Sequence, residues 1–262
     1  MDNYLEVNKK SWNTRLASHL ESEFYDVKGF IEGKSSLNEI ELALLGDIKG
    51  KRILHLQCHF GQDSISLSRM GAEVVGIDLS DKAIEKAKEL AATTGTTARF
   101  VCSDVYNLPN VLDETFDIVF TSYGTISWLP DLDKWSGVIS HFLKPGGRFV
   151  FAEFHPVVWM FDDDVKEITY HYHNTGALME EEEGTYADKN AAIKEKCIFW
   201  NHGIGEVVNS LIGSGLSINT LNEYDYSPYP FVSNCKAYEK GKYRITHFGN
   251  KIPLVYAIEA RK

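Results

Sequence analysis

The sequence predicts an α/β fold, a mostly parallel sheet with helices on both faces. Three observations predict it. Between residues 36 and 153, short apolar runs alternate five times with stretches of helical periodicity, the pattern of a parallel sheet with right-handed crossovers. The run Phe116-Asp117-Ile118-Val119-Phe120-Thr121 is almost continuously apolar, as a strand buried on both faces is. The stretch from Ile53 to Asp78 reads strand, turn, helix, strand, acid, the layout of a nucleotide-binding βαβ unit.

Trp12, Leu16 and Leu20 are helically spaced and predict a first helix near residues 5–20. Phe24 and Tyr25 follow in a segment closed by Gly29 and Gly33. Residues 1–35 therefore read as an N-terminal helical segment, either packed on the main domain or serving as a lid. The main domain is residues 36–262. Ser36 and Glu39 have capping-box spacing and open a helix carrying Leu37, Ile40, Leu44 and Leu45.

The first strand is Arg52–Leu56, and Ile65, Leu67 and Met70 mark a short helix ended by Gly71. The second strand is Glu73–Ile77. Ser80 caps a helix with Ile84, Ala87, Leu90 and Ala91 on one face, ended by Gly95. The third strand is Ala98–Cys102 and the fourth Phe116–Thr121. Asp131 caps a helix with Leu132, Trp135, Ile139, Phe142 and Leu143. Lys144-Pro145-Gly146-Gly147 is a turn into the fifth strand, Arg148–Glu153.

The second half is less regular. Glu167–His173 and Lys194–Trp200 read as a β-hairpin inserted at about residues 160–200, with a long acidic loop between them in which Glu180 to Glu183 are solvated. Glu206 to Ile212 form a helix. Leu216–Tyr224 and Ile252–Ala260 bring the main sheet to seven strands. An aromatic, proline-containing loop, Tyr224 to Phe231, lies between them.

With 262 residues and 44% of them hydrophobic, the chain can bury one α/β core with an added cap. A net charge of −10 argues against non-specific nucleic-acid binding, which depends on Lys and Arg neutralising phosphates. Met1 to Lys10 is polar, with no signal segment, and no apolar run reaches membrane-spanning length, so no membrane insertion is expected. Cys58, Cys102, Cys197 and Cys235 are far apart without a C-x-x-C, which fits a reducing cytoplasm and no zinc site. His171 and His173 share a face of an expected strand, but no third ligand is near, so no metal site is expected.

Parallel sheets bind ligands beyond the carboxyl ends of their strands. His59, Asp78, Asp104, Ser122-Tyr123 and Phe154-His155 stand there, each set from a different strand. A helix N-terminus after Gly61 suits an anionic group, and Asp78 can accept from ribose hydroxyls. The turn itself is unusual, because Gln57 and His59 occupy positions that such loops give to glycine.

Five strings in order resemble the class I S-adenosylmethionine-dependent methyltransferases. They are Ile53 to Gly61 (with HLQCHFG), Gly76-Ile77-Asp78-Leu79-Ser80, Ser103-Asp104-Val105 with Leu108-Pro109, Phe116-Asp117-Ile118-Val119, and Leu143-Lys144-Pro145-Gly146-Gly147-Arg148. The resemblance covers about residues 36–262 and is sharpest over 53–150. It implies a Rossmann-like sheet whose last strand is antiparallel. It also implies S-adenosylmethionine as cofactor, S-adenosylhomocysteine as product and a small-molecule methyl acceptor.

By this resemblance the cofactor would be held by Gln57, Cys58, His59, Gly61, Asp78, Leu79, Asp104, Val105, Ser122 and Tyr123. The family pattern has glycine at 57 and 59 and an acid at 55. Here Gln57 or His59 is expected to bond the methionine carboxylate or amino group. An acceptor would be gripped by aromatic residues, with Phe24, Tyr25, Trp128 and Trp159 as candidates. Where the acceptor carries a proton, His155, then His202, then Tyr123 are the candidate bases. A non-catalytic S-adenosylmethionine binder is the alternative. An NAD-dependent oxidoreductase would need glycine at Gln57, His59 and Gln62 and has no use for the Leu143 to Gly147 string. The inserted hairpin is open to two roles, a substrate cap or a homodimer contact.

Overall fold

The computed structural model describes residues 3–162, 164–232 and 234–262. Three helices come first: α1 (Tyr4–Glu21), α2 (Val27–Ile31) and α3 (Glu39–Leu45). The alternating core follows as β1 (Arg52–His55), α4 (Gln62–Arg69), β2 (Glu73–Asp78), α5 (Asp81–Thr94), β3 (Arg99–Cys102), β4 (Phe116–Ser122), α6 (Leu132–Phe142) and β5 (Leu143–Phe154). Beyond it lie β6 (Leu178–Glu183), β7 (Lys194–Phe199), α7 (Ile204–Gly213), β8 (Ser217–Tyr224), β9 (Cys235–Glu239), β10 (Lys242–Ile245) and β11 (Val255–Arg261).

Seven strands form the main sheet in the order β3-β2-β1-β4-β5-β11-β8. All neighbours up to β5 are parallel, and β11 runs antiparallel to both β5 and β8. The expected sheet, with its last strand reversed, is therefore the one observed. Apolar side chains fill both faces. Trp135, Phe149, Phe151 and Tyr256 belong to one core, and Ile53, Phe60, Ile84 and Phe120 to the other. Each fully buried Phe or Ile contributes roughly 1.5–3 kcal/mol through the area it removes from water.

Several local expectations are corrected. The capping box of α3 is Asn38 with Glu41, whose Oε1 accepts from the Asn38 backbone N–H at 2.6 Å. Ser36 instead bonds the Ser66 hydroxyl from an extended segment. Lys144 to Gly147 loop out within β5, between the pairings Phe116 with Leu143 and Ile118 with Arg148. Residues 167–173 form no strand, only a single bridge from Ile168 to Phe161, so His171 and His173 share no strand face. The true partner of β7 is the acidic run, now β6, paired from Leu178 with Phe199 to Glu183 with Lys194. That run alternates: Glu180 and Glu182 are half-buried, while Glu181 and Glu183 are exposed and lie beside Lys194. The β9–β10 hairpin had no counterpart in the sequence reading.

The N-terminal helix buries a mostly polar face. Asn8, Ser11, Arg15 and His19 share it with Leu16. Asn8 donates to the Ile198 carbonyl at 2.8 Å and accepts from the Ile198 N–H at 2.9 Å, so its amide completes the edge of β7. Arg15 pairs with Glu182 of β6 at 2.8 Å. At the other flank, Asn13 bonds Ser80 and Asp81 at the start of α5.

Candidate functional site

The carboxyl ends of the parallel strands open into a cavity of about 1010 Å³. Its floor is the turn after β1. Gln57, His59 and Gly61 have φ of 55°, 50° and 82°. All three alternate residues thus keep the left-handed backbone that glycine adopts most readily, two of them at a cost of roughly 1–2 kcal/mol each. Hydrogen bonds hold that shape. The Cys58 N–H donates to the Ile77 carbonyl and the Gly61 N–H to the Cys58 carbonyl. The His59 N–H donates to Asp78 Oδ2 at 2.8 Å.

The two unusual side chains leave the turn in different directions. Gln57 Nε2 donates to the Thr125 carbonyl at 2.9 Å, tying this turn to the one after β4. Its Oε1 is buried without a partner among the described residues. His59 turns toward α1, where its Nε2 lies 2.9 Å from His19 Nδ1. Trp12, Tyr25 and Phe60 pack their rings around it. Burial, and the Arg15 charge, hold both imidazoles neutral, His19 down to about 3.

Asp78 ends β2 inside the cavity. Its Oδ1 accepts from the Ser80 N–H at 2.8 Å, and with His59 on Oδ2 two backbone donors fix the carboxylate. A carboxylate has about four acceptor sites, so these bonds leave acceptor capacity for a ligand. Burial outweighs these bonds and raises the group to about 6. Asp104 is committed to its own turn, accepting from Tyr106 N–H at 2.8 Å and Asn107 N–H at 3.1 Å. Leu79 and Val105 line the same recess.

The turn after β4 is built around Glu153, buried near the end of β5. Its carboxylate accepts from the backbone N–H groups of Gly124, Thr125 (2.7 Å), Ile126 (3.3 Å) and Phe154 (2.7 Å) and from the Thr125 hydroxyl (3.0 Å). This fastening places Ser122 and Tyr123 on the cavity wall, with Tyr123 at φ 31°. The Ser122 hydroxyl donates to Asp63 Oδ2 at 3.1 Å.

The cavity brings together Gln57, Cys58, His59, Gly61, Asp78, Leu79, Asp104, Val105, Ser122 and Tyr123, and also Phe24, Tyr25, Trp128 and Trp159. It does not include His155 or His202. Side chains alternate along β5, so Phe154 faces the cavity and His155 the opposite side. There His155 Nε2 is 2.8 Å from Glu223 Oε1, and its Nδ1 accepts from the Val157 N–H at 3.2 Å. His202 is buried with Nε2 on the Leu129 carbonyl at 2.8 Å and Nδ1 3.0 Å from Glu206 Oε1. Of the three candidate bases, both histidines thus lie outside the lining of this cavity and Tyr123 within it.

Several lining residues escaped the sequence reading: Asp63, Arg15, Glu180 and Tyr186. Arg15 is 3% exposed, with its guanidinium beside the contacting rings of Trp12 and Trp128. The signal for it was present, because Asn8, Ser11, Arg15 and His19 recur at helical spacing as a polar stripe. No such signal marks Tyr186, which reaches the cavity from an irregular segment, whereas Tyr229 and Phe231 come from the aromatic Tyr224 to Phe231 loop.

A family model described as a methyltransferase domain matches residues 53–147. An uncharacterized methyltransferase of Synechocystis is 32% identical over 133 residues, 50% of this chain and 60% of that protein. A ubiquinone biosynthesis O-methyltransferase of Photorhabdus laumondii is 27% identical over 135 residues, 50% of this chain and 56% of that protein. The matches thus span little more than half the length of these two relatives. The crystal structure of an S-adenosylmethionine-dependent methyltransferase from Mesorhizobium loti superposes with a TM-score of 0.59 at 21% identity, covering 88% of this chain and all of that one. Residues 53–147 thus match a methyltransferase domain, and the sheet that carries them has the fold of the Mesorhizobium loti S-adenosylmethionine-dependent methyltransferase.

Proposed function

We propose that the protein transfers a methyl group from S-adenosylmethionine to a small-molecule acceptor inside this cavity. The observation that carries the reading is the turn after β1. Its residues 57, 59 and 61 keep a glycine-type backbone, with His59 N–H bonded to the ribose-accepting Asp78. The residues fit the cofactor. Asp78 has acceptor sites left for ribose hydroxyls, Leu79 and Val105 offer an apolar recess for adenine, and the orphaned Gln57 Oε1 suits the methionine ammonium. When bound, the sulfonium supplies an already activated methyl group. The chain's own task is then to position an acceptor and exclude water.

Phe24, Tyr25, Trp128 and Trp159, joined by Tyr186, Tyr229 and Phe231, form the acceptor wall. The N-terminal segment and the β6–β7 hairpin act together as a cap, because α1 is bonded to β6 and β7 and to the cofactor turn through His19. The relatives named for ubiquinone biosynthesis O-methylation favour a small organic acceptor. The four thiols favour a reducing cytoplasm.

Calorimetry tests the reading. S-adenosylmethionine and S-adenosylhomocysteine should bind and NADH should not. Asp78→Ala should weaken both by about 1–3 kcal/mol through lost charge-assisted hydrogen bonds. Tight NADH binding, or unchanged affinity in the variant, would reject it. A screen of metabolite extract for transfer of labelled methyl then identifies the acceptor.

A further inference from the structure

The wall between α3 and the turn after β4 holds one buried carboxylate and two phenols. Glu41 is fully buried. Its two oxygens have separate duties. Oε1 serves the cap of α3, accepting from Asn38 N–H at 2.6 Å and Asn38 Nδ2 at 3.0 Å. Capping needs nothing of Oε2, which instead accepts from the Tyr123 hydroxyl at 2.8 Å. The second Asn38 amide hydrogen goes to the Tyr229 oxygen at 2.7 Å. The Tyr123 and Tyr229 rings meet edge to face, with centroids 5.5 Å apart, and both line the cavity. Tyr123 follows directly on β4, at the sheet's carboxyl edge, in a strained backbone conformation at φ 31°. Tyr123 lines the cavity and Glu41 does not, so the carboxylate meets the cavity wall through the phenol.

We propose that Tyr123, backed by Glu41, removes the proton from the methyl acceptor, which is therefore a compound whose reacting oxygen, sulfur or nitrogen carries hydrogen. This rests on the methyltransferase reading of the same cavity. The acceptor heteroatom gives its proton to the Tyr123 oxygen while the Tyr123 proton passes to Glu41 Oε2. The heteroatom's electron pair forms the new bond to the methyl carbon. The carbon–sulfur bond of the sulfonium breaks, and its electron pair stays on sulfur. The products are the methylated acceptor, S-adenosylhomocysteine and a protonated Glu41, which returns its proton to water by way of Tyr123 once the products have left.

The surroundings of the pair suit this role. Asp63 from α4, Tyr123 and Tyr229 face Glu41, with Asn38 from its own cap. Burial, then the Asp63 charge, raises the Glu41 carboxyl to about 7, so it is a stronger base than an exposed glutamate and changes charge near neutral pH. Burial, then the Glu41 charge, pushes the Tyr123 phenol well above its usual range, so it relays a proton rather than resting ionised. Tyr123 is the catalytic residue here, and Glu41 is the positioning residue that receives the proton through it.

The test uses the whole protein and labelled S-adenosylmethionine. Catechol, thiophenol and aniline serve as proton-bearing probes, N,N-dimethylaniline and thioanisole as proton-free ones, and a metabolite extract as the natural mixture. Transfer is expected to a proton-bearing acceptor. Tyr123→Phe and Glu41→Gln should each lower kcat roughly 100-fold or more, the usual scale of general-base assistance. Cofactor affinity by calorimetry should stay unchanged in Glu41→Gln, because Glu41 does not line the cavity. The fall of wild-type kcat below about pH 7 should vanish in Glu41→Gln. Glutamine still serves a capping box, so that variant keeps α3. Wild-type turnover in either variant, or transfer confined to the proton-free probes, would overturn the proposal and leave the methyltransferase reading intact. Cofactor binding without transfer to any probe or to the extract would overturn both.

Discussion

At Glu41 the folded chain holds a carboxyl at about 7 where an exposed glutamate has 4.5, and burial is the largest cause. The folded state therefore binds more protons than the unfolded state between these values, and stability falls as pH rises through that window. The difference corresponds to about 3 kcal/mol. Asp78, raised to about 6, acts in the same direction. His19 and His59 act in the opposite one. Their lowered values mean that the unfolded chain binds protons first, so their contribution is lost as pH falls below about 6.5. Melts of wild type and Glu41→Gln across pH 4.5–7 isolate the glutamate. The variant should lose less stability toward neutral pH, and equal slopes would contradict the buried-carboxyl account. Glu41 also shows a limit of reading residues from the chain. It sits one helical turn into an ordinary amphipathic stripe, and nothing local reveals that Oε2 meets a tyrosine 82 positions away.

At the scale of elements, α1 and the β6–β7 hairpin form one unit. Asn8 satisfies both backbone groups of Ile198 as a neighbouring strand would. Asn8→Ala should leave a half-buried N–H and carbonyl unpaired, at a cost of about 1–3 kcal/mol. Hydrogen exchange should show it as faster exchange of the Ile198 amide, with β1 and β4 unchanged. Unaltered exchange at Ile198 would mean that the clasp adds nothing to the cap. The hairpin was legible in part. Its second strand was readable from Lys194 to Trp200, but its first was misplaced to Glu167–His173. A run of four glutamates has low strand propensity and reads as solvated. It becomes a strand because alternate carboxylates find Arg15 and Tyr170 on one face and Lys194 on the other.

For the whole molecule, a ligand that binds only the folded state adds stability by mass action, about 2.7 kcal/mol at a hundred times its Kd. S-adenosylhomocysteine at saturating concentration should therefore raise the Tm of the wild type, and the same concentration should raise that of Asp78→Ala less. An equal rise in both would place the ligand away from β2. Binding should also leave the sheet intact, since the strand ends that meet the ligand extend from a core already closed on both faces.

By itself the sequence determined the layers and most of the site floor. Apolar periodicity specified the alternating elements, and the acid after the second apolar run marked Asp78. Strand ends of a parallel sheet converge whatever the loops do, so Asp104, Ser122 and Tyr123 were placed by topology, while Leu79 and Val105 came from the family resemblance. Only the tertiary structure decided where the remaining side chains point. The alternation of β5 sent His155 to Glu223 and left Phe154 in the cavity. A polar helix face became the buried one because its partners, Ile198, Glu182 and His59, lie 190, 167 and 40 residues away. Hydrophobic periodicity is a local property and survives in the sequence. The pairing of buried polar groups is set by contacts distant in the chain, and it is written only in the folded arrangement.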